Sequence, residues 1–350
     1  MKILYSVQAT GNGHISRAME LLPYLKQYGE VDIFLSGANS SLDLSFPVKY
    51  RSKGLSLFYT CKGRLDYKKT VFALSPLRIR KEIKDLPVEK YDLILNDFEC
   101  ITSLSCASKN IPSVNFGHQA SFYSSNAPRP KEKSKMGEWI LKNYARASFY
   151  IGLHFQQYDD FIFPPVIKKE IAGAIPSDKG YVTVYLPSYC EHILEKYFHP
   201  LSQHRFHIFS WQTNQRKQSG NITFLPVNKN TFNEALINCS CIITGGGFET
   251  PAEALKLEKK LMVIPIRGQY EQQCNAAALE QMGIKKLDKL DDDFTGHFNH
   301  WVESPPVKVN YDHSTEEIIA NVLKLSIAHL KAKRIDLVPE EMDLTLLPSP

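Results

Sequence analysis

Apolar and polar positions along this 350-residue chain switch repeatedly between two periods. Short apolar runs bounded by glycine, asparagine or charge alternate with longer stretches whose apolar residues recur at helical spacing. The first half predicts strands over 2–7, 31–36, 48–51, 91–96, 113–116 and 148–153. Helices are expected over 15–28, 76–84, 101–109 and 131–146. Residues 163–179 break into prolines, glycines and charges and predict a linker. The pattern resumes with strands over 181–186, 205–209, 222–225, 241–243 and 261–265. Helices follow over 191–198, 231–238, from the glycines after Ile243 to Lys259, and over 314–333. The tail beyond Leu337 holds three prolines and predicts no regular element. Such alternation implies parallel sheets covered by helices on both faces. The expectation is an α/β protein of two Rossmann-like, doubly wound parallel-sheet domains.

Two strand ends carry glycine. The more informative run is Thr244-Gly245-Gly246-Gly247-Phe248-Glu249-Thr250-Pro251-Ala252-Glu253. Without Cβ atoms, consecutive glycines let backbone N–H groups approach a ligand closely. The helix that follows aims its unpaired N–H groups and positive dipole end at the same place, which suits a diphosphate. Glu253 is placed where a carboxylate can accept from ribose hydroxyls. The next strand ends in a second polar segment, Arg267-Gly268-Gln269-Tyr270-Glu271-Gln272-Gln273. Polar loops at the carboxyl ends of neighbouring strands are where open α/β sheets bind ligands. At the N-terminus the strand over 2–7 runs into Gln8-Ala9-Thr10-Gly11-Asn12-Gly13-His14-Ile15-Ser16-Arg17 and then a helix.

These paired loops resemble the GT-B glycosyltransferases, specifically glycosyltransferase family 28, the branch that includes the N-acetylglucosaminyltransferase of the lipid-linked peptidoglycan precursor. The matching residues are Gly11-Asn12-Gly13-His14, then Gly247 with Thr250 and Glu253, then Ile264-Pro265, then Gln272-Gln273 with Asn275-Ala276. The chain departs from that pattern at Thr10 and Asn12, where the family carries more glycine, and is one residue shorter between Gln273 and Asn275. The resemblance implies two domains facing a cleft, residues 1–165 on the acceptor side and 166–312 on the nucleotide-sugar side. Residues 313–350 would form a helix crossing back to the first domain, plus the tail. It further implies a UDP-sugar or similar donor as co-substrate, no tightly bound cofactor, no metal, and an unidentified hydroxyl acceptor such as a glycan or lipid-linked sugar of the cell envelope.

Composition changes this picture little. A hydrophobic content of 43% and a charged content of 23% describe an ordinary globular protein. The net charge of +5 is too small to argue for nucleic acid. No apolar run reaches the ~18–20 residues of a membrane span, and no signal peptide is expected before the first strand. Seven cysteines without a Cys-x-x-Cys pair read as reduced thiols, so a cytoplasmic protein is expected.

Glycosyl transfer needs positive potential for the leaving diphosphate, a base for the acceptor hydroxyl, and exclusion of water. Gly245, Gly246, Gly247 and Phe248 with the helix dipole supply the first, and Arg267 adds a full charge. Gln269, Glu271, Gln272 and Gln273 open a helix facing the sugar. His14 is the leading base, its pKa expected to fall beside a helix N-terminus. Asp97, at the end of the strand over 91–96, either orients His14 or caps the next helix, and Glu99 shares both readings. His118 follows another strand and is a candidate for the acceptor wall with Gly11, Asn12 and Gly13. Residues 128–135 are basic and precede Trp139, Ile140, Leu141 and Tyr144. They read either as a peripheral contact with the inner face of an anionic membrane or, more plainly, as a solvated loop before a core-facing helix. Three other functions stay open. One is an epimerase of the UDP-N-acetylglucosamine 2-epimerase type, and another is a catalytically silent sugar-nucleotide binder. The third is an NAD-dependent dehydrogenase, for which the third glycine of the dinucleotide fingerprint is missing.

Overall fold

The structure, a computed structural model, describes residues 1–9, 11–37, 46–54 and 75–335. Its first half contains β1 (Lys2–Gln8), α1 (Asn12–Leu25), β2 (Glu30–Ser36), β3 (Tyr50–Ser52), α2 (Pro76–Asp85) and β4 (Leu93–Asp97). It continues through α3 (Cys100–Ser108), β5 (Val114–Gly117), α4 (Lys135–Asn143), β6 (Phe149–Leu153) and β7 (Ile162–Phe163). These seven strands form one parallel sheet in the order β3-β2-β1-β4-β5-β6-β7. Helix α5 (Lys169–Ala172) lies in the expected linker.

The second half runs β8 (Val182–Tyr185), α6 (Glu191–Phe198), β9 (Phe206–Ser210), β10 (Lys217–Ser219), β11 (Ile222–Pro226) and α7 (Lys229–Asn238). Then come β12 (Cys241–Thr244), α8 (Glu249–Lys256), β13 (Lys260–Val263), α9 (Tyr270–Gln281), β14 (Lys285–Lys286), α10 (Phe294–Val302) and α11 (Thr315–Ile335). Its sheet has the order β10-β11-β9-β8-β12-β13-β14, all parallel except the edge strand β10. The short elements β7, α5, β10 and β14 and helix α10 are not apparent from periodicity alone. The expected tail beyond Leu337 lies outside the described residues.

Strand side chains divide between two helix-covered faces. Ile3, Tyr5 and Val7 join the largest core cluster, while Leu4 joins a separate one with Phe34 and Ile94. Ile242 likewise faces the large cluster, and Cys241 and Ile243 face the opposite one. The large cluster runs from the first sheet through α11 to the second sheet, and α11 packs on α1 and β6.

Two expectations need correction. Helix α4 buries Leu141 but leaves Trp139 61% and Met136 67% exposed, so its apolar residues do not all face the core. Of the cysteines, Cys100, Cys106, Cys239, Cys241 and Cys274 are free and buried, whereas Cys190 is disulfide-bonded, so the thiols are not all reduced.

Each sheet reverses its strand order once. In the first sheet β1 and β4 are neighbours with chain continuing outward on both sides, and in the second sheet β8 and β12 are. The carboxyl ends at such switch points splay apart and leave a crevice. Both glycine loops leave from these ends.

Candidate active site

The two crevices open on one cleft of about 690 Å³, within the roughly 300–1,000 Å³ typical of small-ligand sites. Gly11, Asn12, Gly13, His14 and His118 line it from the first half. Gly245, Gly247, Phe248, Thr250, Glu253, Gln269, Glu271 and Gln272 line it from the second. Helices α1 and α8 both begin here, and neither has a side-chain cap on its first N–H groups. The positive ends of both helix dipoles are thereby directed at the cleft.

The register of β1 and β4 pairs Val7 with Asp97, which puts Asp97 beside the first turn of α1, where His14 stands. Asp97 is fully buried, and its Oδ1 lies 2.9 Å from His14 Nδ1. The capping reading of Asp97 is wrong. Glu99 caps α3 instead, accepting from Ile101 N at 2.9 Å and Thr102 N at 2.6 Å. Glu99 is therefore occupied in holding a helix end.

Arg17, one turn after His14 on α1, is 4% exposed. Its Nη2 donates to both Asp97 oxygens, at 2.7 and 2.9 Å, and its Nη1 pairs with Glu249 Oε1 across the cleft. Gly13 makes room for that crossing, since a Cβ there would stand 2.5 Å from Glu249 Oε2. Burial opposes a charge on His14, but Asp97, by its charge and its hydrogen bond, outweighs burial and the nearby Arg17. The His14 pKa is therefore raised, opposite to the expectation from the helix dipole. Asp97 shows the reverse balance: burial resists ionisation, and Arg17 and His14 overcome it and hold the carboxyl below its usual value. With Nδ1–H given to Asp97, the His14 Nε2 lone pair is left toward the cleft, where Gln119 Nε2 lies 3.3 Å away. Gln119 is 5% exposed, and its Oε1 has no hydrogen-bond partner among the described residues.

On the other wall the glycine loop is clamped from behind. Gly246 N donates to Gln272 Oε1 at 3.2 Å, and Asn275 Nδ2 donates to Gly246 O at 2.9 Å. A Cβ on Gly246 would meet Gln272 O at 2.5 Å, so only glycine allows this approach. Gln272 Oε1 also accepts from Ile266 N at 3.0 Å, so this side chain both faces the cleft and ties two loops together. Arg267 and Gln273 are not among the side chains lining the cleft; a left-handed turn at Gly268 (φ +87°) stands between Arg267 and the cleft-facing Gln269. Glu253 lies on the floor, 2% exposed, with Oε1 3.1 Å from Lys168 Nζ. Lys168 Nζ also donates to Asn233 Oδ1 at 2.8 Å. Burial raises the Glu253 pKa, and Lys168 offsets only part of that.

His118 is 1% exposed. Its ring stacks on Phe248 with centroids 4.0 Å apart, Nδ1 lies 2.8 Å from Leu153 O, and Nε2 lies 2.6 Å from Asn275 Oδ1. It joins the two halves at the cleft edge, and burial lowers its pKa.

The sequence reading missed Arg17, Glu249, Lys168 and Gln119 as parts of the site. Arg17 had one available signal, its place one helical turn after His14. Lys168 had none, because its partner Glu253 is distant in sequence and the intervening linker has no pattern.

A family model described as glycosyl transferase family 1 matches residues 1–303. The chain belongs to glycosyl transferase family 1. It is a glycosyltransferase with the GT-B fold expected from the paired loops. Solved structures of several such enzymes share the fold. Arabidopsis thaliana UGT89C1 complexed with UDP superposes with a TM-score of 0.57 at 12% identity, covering 97% of this chain and 96% of that one. The spinosyn forosaminyltransferase SpnP gives 0.55 at 14% identity, covering 93% and 99%. MurG of Acinetobacter baumannii gives 0.51 at 14% identity, covering 92% and 99%. No curated protein matches the chain at the level of sequence. These matches do not favour the epimerase, dehydrogenase or silent-binder readings.

Proposed function

We propose that this family 1 member transfers a sugar from a nucleotide-sugar donor, UDP-linked, to a hydroxyl acceptor with inversion and without a metal. One observation carries the reading: a His14–Asp97 pair, anchored by the buried Asp97, faces the uncapped N-terminus of α8 across a single cleft. In the proposed step, His14 Nε2 takes the acceptor's hydroxyl proton as the oxygen bonds to the sugar C1. The bond from C1 to the diphosphate oxygen breaks on the opposite face, and its electron pair leaves with the nucleoside diphosphate. Asp97 stabilises the imidazolium that forms, and Arg17 keeps Asp97 ionised and in place. The backbone N–H groups of Gly247 and Phe248 and the α8 dipole receive the negative charge. Glu253 accepts from the ribose once Lys168 gives way, and Gln269, Glu271 and Gln272 hold the sugar. Residues 1–165 and 166–312 are taken as the acceptor and donor sides, with 313–350 returning to the first. UGT89C1 complexed with UDP supports the choice of base by fold alone.

A thermal-shift screen against UDP, GDP, dTDP and NAD tests the donor. UDP is expected to raise the melting temperature most, because a ligand that binds only the folded state stabilises it. A response to NAD alone would overturn the reading.

A further inference from the structure

We infer that the outward face of α4 docks this protein on an anionic lipid surface. Met136, Trp139 and Ile140 follow helical i, i+3, i+4 spacing, and they are 67%, 61% and 40% exposed. One stripe of α4 therefore presents three adjacent large apolar side chains to solvent, where a surface helix ordinarily carries polar ones. The opposite side is fixed inside the protein. Gly137 lies against the Tyr270 ring, Leu141 packs with Tyr270 and Cys274, and Glu138 accepts from Tyr270 at 2.7 Å and from Arg129 at 2.6 Å. The stripe thus has no inward alternative.

Its surroundings define the occupant. Lys131, Lys133, Lys135, Lys142 and Arg146 are all exposed around it. Of the neighbouring acids, Glu138 is already bound to Arg129, which leaves Glu132 as the one exposed carboxylate between Lys131 and Arg146. Beyond the C-terminal end of α4 lies a groove of about 660 Å³ lined by Lys142, Arg146, Tyr123 and Tyr150 among others. Tyr123 is 55% exposed and stacks on Tyr150 with ring centroids 4.0 Å apart. Aromatic and aliphatic side chains beside a basic rim are the features by which a helix lies in the headgroup region of an anionic bilayer. A protein partner of the same patch would have to supply acids to five cations; a lipid surface supplies them without a specific fit. The docking also places the cleft. Helix α4 rests on α9, and α9 delivers Glu271 and Gln272 to the cleft. An acceptor held at the membrane surface then lies near the proposed site, though the docking itself does not depend on the transfer reaction.

Sedimentation of the full-length protein with vesicles tests this. Binding is expected to vesicles of phosphatidylcholine mixed with phosphatidylglycerol, to be absent with phosphatidylcholine alone, and to weaken as salt rises. Met136→Ser/Trp139→Ser/Ile140→Ser should lose binding while keeping the melting temperature. Lys142→Glu/Arg146→Glu, which leaves the apolar stripe intact, should weaken binding about tenfold or more. Failure to bind phosphatidylglycerol vesicles, equal binding to both vesicle types, or unchanged binding by both variants overturns the proposal. So does a solution dimer that the triple serine variant converts to monomer, because the stripe would then be covered by a second copy. A UDP response that survives in either variant separates loss of docking from any failure of the donor site.

Discussion

The two walls of the cleft begin from the same local device and end in opposite chemistry. Each is a strand, a glycine loop and an uncapped helix N-terminus at a switch point in strand order. On the first wall the loop is backed by charge: Asp97 and Arg17 are buried, and His14 lies half-buried against them. On the second wall the loop is backed by amides: Gln272 and Asn275 bind the backbone of Gly246. The difference lies in what stands behind the loop. In the proposed reaction the titratable cluster supplies the proton acceptor, whereas the neutral clamps hold the loop so that the N–H groups of Gly247 and Phe248 meet the anion. The Arg17–Glu249 pair joins the walls, so the charge cluster is complete only when the halves are together.

The comparison breaks most directly at His14. His14→Ala is expected to lower kcat about 10²–10⁴-fold while the thermal shift with UDP persists, since the proposed base belongs to one wall and the proposed anion site to the other. Equal loss of both in a folded protein would erase the distinction. Arg17→Met comes next. It leaves the buried Asp97 and the half-buried Glu249 without their shared cation, and chemical denaturation should show a loss of about 3–5 kcal/mol. Glu253→Ala should abolish the UDP-induced shift and leave the His14 pH dependence in place, because Glu253 touches only the second wall.

Gly246→Ala tests the clamp. The added methyl meets Gln272 O, and relief of that contact should cost about 1–3 kcal/mol and weaken UDP binding measured by calorimetry. The smallest expected effect is a shift along the pH axis. The raised His14 pKa means that the neutral base appears only above that value, so kcat should rise with pH through it. Asp97→Asn removes the negative charge that raises it, so the acid limb should move to lower pH. A limb that moves upward would show that Asp97 does not act on His14 by charge.

Much of this was readable from local signals. The strand–glycine–helix units at Gly11–His14 and Gly245–Glu253 are contiguous, and backbone physics at a helix N-terminus needs no distant partner. The capping role of Glu99 was not decided locally, because Asp97 and Glu99 stand two residues apart and either can reach the first turn of α3. Burial settled it, by turning Asp97 toward His14 and Glu99 toward Ile101 and Thr102. The outward stripe of α4 was likewise hidden. Its sequence offers Met136, Trp139 and Ile140 on one side and Leu141 with Tyr144 on another, and period alone cannot say which is inside.

The sequence by itself determined that two parallel-sheet halves would each present a glycine loop at a strand end, because alternation and glycine spacing act within one element and its neighbour. Only the tertiary structure decided how the charges pair. Arg17 meets Asp97 across 80 positions and Glu249 across 232, and Lys168 meets Glu253 from the linker. Such pairs are set by strand order and by the seating of one half on the other. A charged side chain carries no mark of its partner until burial removes water as the alternative.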